Sequence, residues 1–128
     1  EKTKCLISCT DGYYGSGFYD KTKKYILYNK EKWFGTIKNI YNRNGKSELM
    51  KNGFPTIWTK EFVYTHNCSI ASSVVIHNSI IEKIGYFSNQ LWAPDHEYWK
   101  RAINHSNLVY LDEPLLYWDS GHGYGQNY

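Results

Sequence analysis

Residues 69–120 alternate strand-like and helix-like runs in a fixed order, and that order restricts the chain to an α/β architecture more tightly than any other feature. Ser69-Ile-Ala-Ser-Ser-Val-Val-Ile76 is apolar and β-branched, which predicts a buried strand. Asn78 or Ser79 can cap a helix over 80–84, and Gly85 supplies its stop. A loop follows over 86–93, carrying Phe87 and Trp92. Pro94-Asp95 opens a second helix reaching about Asn104, with Tyr98, Trp99, Ala102 and Ile103 forming an apolar stripe. Leu108–Leu111 reads as a strand, Asp112-Glu113-Pro114 as a turn and Leu115–Trp118 as another strand, before a glycine-rich loop from Ser120.

The first half is less regular. Lys4–Thr10 predicts a short strand ending in a turn at Asp11-Gly12, and Lys24–Tyr28 a second strand beyond the polar Asp20-Lys-Thr-Lys loop. Asn42-Arg43-Asn44-Gly45 is a turn, and Ser47–Lys51 reads as a short helix closed by Gly53. The stretch of about 30–56 has no steady period and reads as a variable insertion.

The 128 residues fit one domain, 1–128, with a single modest core. A net charge of +3 with scattered lysines excludes nucleic-acid binding as a primary role, and no aromatic and basic pattern of an RNA-binding sheet is present. No apolar run is long enough to span a bilayer. Aromatic residues, 18% of the chain and led by 13 Tyr, suit stacking against sugar rings as well as core packing. Cys5 and Cys9 share a face of the first strand about 13 Å apart, too far for a relaxed disulfide, so reduced thiols and a cytoplasmic setting are expected. The chain opens on Glu1, as a fragment or a processed product would.

Pro94-Asp95-His96-Glu97-Tyr98-Trp99-Lys100-Arg101, with the strand, helix and Gly85-Tyr86-Phe87 before it and Leu111-Asp112-Glu113-Pro114-Leu115 after it, resembles the acceptor-side half of a family 2 glycosyltransferase. The family pattern has a small-residue strand, a helix ending in Gly-x-Phe, a carboxylate pair opening a helix and an Asn/Asp-Glu-Pro-Leu strand. The likeness covers about 62–120 well and 4–28 loosely. It implies part of a GT-A fold, a mixed sheet flanked by helices, with the donor-binding N-terminal half absent from this chain. It also implies inverting transfer of a sugar from a nucleotide-diphosphate donor to a glycan-type hydroxyl acceptor, by a fragment inactive alone. A setting in the cytoplasm or at a membrane periphery goes with it, and an unpaired sheet edge would invite self-association.

The resemblance makes Asp95 the catalytic base, which must reach the acceptor hydroxyl opposite the leaving diphosphate. Read by position alone, Asp95 is a helix N-cap, a role that stabilises a helix by about 1 kcal/mol. Pro94 stands where the family places the first acid, which removes the neighbouring carboxylate. Trp92, His96 and Glu97 are the acceptor-binding candidates, and His66 and His77 are read as structural. A divalent cation, Mn²⁺ or Mg²⁺, is expected on the donor diphosphate; His122 is its one candidate ligand here, because the chain has no Asp-x-Asp. The rival function is a non-catalytic carbohydrate- or protein-binding module whose aromatic loops form the binding surface.

Overall fold

The computed structural model describes residues 4–121 and runs β1 (Ile7–Gly15), β2 (Ile26–Leu27), α1 (Phe34–Arg43), β3 (Ile57–Trp58), α2 (Lys60–Thr65), β4 (Val75–Ile76), α3 (Asn78–Ile84), α4 (Pro94–Ala102) and β5 (Leu108–Asp119). One mixed sheet in the order β2-β1-β5-β3 organises them, with β4 pairing the start of β1. Its centre is the parallel pair β1 and β5, from Ile7 beside Leu108 to Gly15 beside Asp119. Parallel neighbours need a crossover, and the whole of residues 16–107 supplies it. No described helix is long and apolar enough to cross a membrane.

Both central strands run through places that the sequence marks as turns. The expected turn at Asp11-Gly12 is instead continuous strand. The Asp11 carboxylate, fully buried, accepts backbone N–H bonds from Gly12 and Asn29 at 2.8 Å each and from Lys30 at 3.1 Å. Those donors satisfy a group that would otherwise have to face water. Gly12 is needed because β5 lies close: a Cβ there would sit 2.9 Å from Leu116 Cδ1 and 3.1 Å from the Leu116 carbonyl. Asp112-Glu113-Pro114 is likewise part of one strand and no turn. The register shifts there, Thr10 pairing with Leu111 and Asp11 with Pro114. Such an irregularity is where a residue without an N–H can sit in a sheet.

The stretch read as a variable insertion contributes to the core. A π-helical turn, Tyr28–Trp33, leads into α1, whose Ile37 and Tyr41 are buried one turn apart, and a 3₁₀ turn, Ser47–Met50, buries Met50. Tyr41 stacks on Phe62 of α2 at 4.8 Å and donates its hydroxyl to the Phe62 carbonyl at 2.7 Å. Phe62 meets Trp58 of β3 at 4.8 Å, and Trp58 stacks on Tyr110 of β5 at 5.0 Å, so rings carry the core from helix to sheet. Of the strand expected over 69–76, only Val75–Ile76 is extended and paired; Ala71–Ser73 is a 3₁₀ turn, with Ser73 Oγ accepting from Thr10 N–H. Cys9 and Cys68 are buried, and burial raises both thiols well above the ordinary range, Cys68 to about 12.

α3 and α4 match the pattern most closely. The cap of α3 is His77 and not the expected Asn78 or Ser79, which lie inside the helix: the His77 ring accepts from Ser79 N–H, and Gly85 ends the helix at a φ of 76°. Both α2 and α3 pack on α4, whose Tyr98, Trp99 and Ala102 are buried.

Candidate functional site

Tyr14 and Trp118 are partners near the carboxyl ends of β1 and β5, and their rings stack at 5.5 Å. Tyr28, first residue of the π-helical turn, sets its ring against the edge of Trp118 at 5.3 Å. The Asp11 carboxylate fixes that turn by holding the N–H groups of Asn29 and Lys30. The buried Asn29 side chain then donates to the Cys68 carbonyl at 3.1 Å, tying the 67–71 segment to the same strand. Between these walls and the start of α4 lies a cleft of about 570 Å³, lined by Tyr28, Trp118 and Asp119 on one side and Trp92, Pro94 and Asp95 on the other. His66, Asn67, Ser69 and Ile70 form its floor and flank. Clefts at the carboxyl ends of parallel strands are where open α/β sheets hold ligands.

Asp95 faces this cleft. It is not used as a cap: Ala93 occupies the N-cap position of α4 in a left-handed conformation, φ 45° and ψ 53°, with no side-chain cap. Asp95 Oδ2 instead accepts from the Asn67 side-chain amide at 3.2 Å. A single neutral donor at one oxygen leaves the rest of the carboxylate able to accept a proton from a hydroxyl in the cleft. Burial raises the Tyr28 phenol, and the carboxylates of Asp95 and Asp11 add to the rise. His66 is shifted below its ordinary range, chiefly by burial and then by His96.

The other sequence-derived candidates go to different places. Trp92 stands at the cleft lip, three-quarters exposed. His96 turns away from the cleft and donates Nε2–H to the Val63 carbonyl at 2.7 Å. Glu97 pairs with Arg101 at 2.6 Å, and Arg101 also donates to the carbonyls of Ile84 and Tyr86. Together with Phe87 packed edge-on to Tyr98 at 4.5 Å, that clamp fixes the base of the loop bearing Trp92. His122 lies outside the described residues. No group of three or more His, Cys, Asp or Glu among the described residues could hold a metal ion.

Tyr28, His66, Asn67, Trp118 and Asp119 join the cleft without having been read as site residues. Trp118 carried one available signal, its place at the end of a strand in an aromatic-rich chain. His66 and Asn67 carried none, since only the folded crossover brings them to α4. Asp119 accepts backbone N–H bonds from Gly17 at 2.8 Å and Gly121 at 2.7 Å, which shapes the rim above Trp118. No family model, curated protein or solved structure matches this chain.

Proposed function

We propose that the chain is the acceptor-binding part of an inverting glycosyltransferase of the GT-A type, with Asp95 as the base that deprotonates the acceptor hydroxyl. What carries the proposal is the position of Asp95: a helix-start carboxylate that caps nothing and opens into a cleft walled by Tyr28, Trp92 and Trp118. Aromatic faces with a few convergent polar groups are what a sugar ring needs, the C–H faces packing on rings and the hydroxyls bonding at the rim. In the reaction, the hydroxyl oxygen forms the new bond to the anomeric carbon, its proton passes to Asp95, and the nucleoside diphosphate leaves from the opposite face. Asn67 orients the carboxylate through the 3.2 Å bond. The divalent cation that the resemblance places on the donor diphosphate would be held by residues beyond the described ones.

In the protein that unites this chain with a donor-binding portion, Asp95→Asn should lower turnover by about 10²–10⁴-fold with donor affinity unchanged. Turnover that survives the substitution would remove Asp95 as base. The rival, a non-catalytic sugar-binding module, draws on the same aromatic walls. It predicts sugar binding with no transfer in any context, and loss of that binding on Trp92→Ala.

A further inference from the structure

The cleft is one-sided in charge. Its ionisable side chains among the described residues are Tyr28, His66, Asp95 and Asp119, with no Lys or Arg beside them, although the chain as a whole has 15 Lys and Arg against 12 Asp and Glu. Asp95 is held by the neutral Asn67 amide, so its charge is not cancelled there. Asp119 accepts backbone N–H bonds from Gly17 and Gly121. His66 is kept neutral at pH 7 by burial and by the neighbouring His96. Two nearby cations are directed elsewhere. Lys30 pairs with Asp112 at 3.0 Å, and Lys32 lies over the Tyr14 and Trp33 rings at 5.2 and 5.4 Å without lining the cleft.

We infer that this cleft accepts only sugar rings without negative charge, neutral or amine-bearing, and turns away rings carrying a carboxylate or phosphate. The inference rests on the sugar-binding reading above and narrows its substrate class. An anionic ring placed among Tyr28, Trp92 and Trp118 meets the Asp95 carboxylate, with no Lys or Arg among the described lining residues to offset it. Repulsion at such range weakens binding by more than about tenfold relative to the neutral ring. A neutral ring loses nothing by this arrangement, and an ammonium group gains from the Asp95 carboxylate and the aromatic faces.

The test is a titration of the 128-residue chain, followed by tryptophan fluorescence and calorimetry, with disaccharides in gluco, galacto and manno forms. Each is supplied as the neutral sugar, the amino sugar and the uronic acid. We expect the best neutral or amino form to bind more than about tenfold tighter than its uronic acid at pH 7. The gap should narrow when salt rises from about 0.02 M to about 0.5 M. It should also narrow in Asp95→Asn, with circular dichroism confirming that the variant is folded. A uronic acid that binds as tightly as its neutral counterpart overturns the charge selection and leaves the sugar reading standing. Failure of every sugar form to bind overturns both. The salt series on the unaltered chain keeps the inference open to refutation even if Asp95→Asn does not fold.

Discussion

Asp11 ties its own strand to the turn beside the cleft. It sits in the middle of β1, fully buried, and its acceptor oxygens collect N–H groups from its own strand and from the turn that presents Tyr28 to the cleft. Asp11→Ala leaves three backbone donors without that acceptor and should cost roughly 3 kcal/mol in urea unfolding. A loss under about 1 kcal/mol would mean that other groups take over those donors. His66 sets a different dependence. Its folded-state pKa lies below the ordinary 6.5 because burial disfavours the charged ring. Just below pH 6.5 the unfolded chain therefore binds the proton more readily than the folded one. Stability from this residue is complete above that pH and declines as pH falls through 6.5 toward the lowered value. Chemical denaturation at a series of pH values should show that decline, and His66→Gln should flatten it.

Among the elements, the β1–β5 seam is the most exacting. The backbones approach so closely at Gly12 that a methyl group there would press on Leu116, both its side chain and its carbonyl. Gly12→Ala should destabilise the chain by about 1–3 kcal/mol, measured as a shift of the thermal midpoint, because the strand must move to admit it. This seam is also where the sequence misleads. Asp-Gly and Asp-Glu-Pro favour turns by local conformation, but the partners that keep Asp11 extended, Asn29 and Lys30, lie 18 and 19 residues away and leave no local trace. α3 and α4 were legible for the opposite reason, since the Gly85 stop and the apolar stripe of α4 lie within a few residues; their caps were not, since His77 and Ala93 hold the N-cap positions expected of Asn78 or Ser79 and of Asp95. α1, α2 and β3 were not. Ile37 and Tyr41 are too few to set a period, and Lys60–Thr65 is a helix of six residues whose N-cap, Thr59, resembles any loop threonine. The site divides in the same way. Asp95 and Trp92 are close in sequence and were found together, whereas Trp118, Tyr28, His66 and Asn67 meet them only through the crossover.

At the scale of the whole molecule, the sheet is open, with two-residue strands along both flanks of the β1–β5 pair. β3 pairs with β5 at Val109 and Leu108, and from Leu111 onward no described strand covers that side; Leu111 and Leu115 are exposed along the stretch. An uncovered edge of this kind is a place for strand addition. The orientation of the central pair matters more for handling the protein. Because β1 and β5 run the same way, Ile7 lies beside Leu108 at one end of the sheet, while Gly15 and Asp119 lie at the other, beside the cleft. Eight residue steps along a strand separate the two ends by about 26 Å. A tether joined at the Ile7 end of β1 therefore lies far from the cleft, and one joined at the Asp119 end of β5 lies next to Trp118. Coupled to a sensor surface at the Ile7 end, the protein should keep the sugar binding proposed for the cleft. Coupled at the Asp119 end, it should hold the cleft against the support and lose much of that binding.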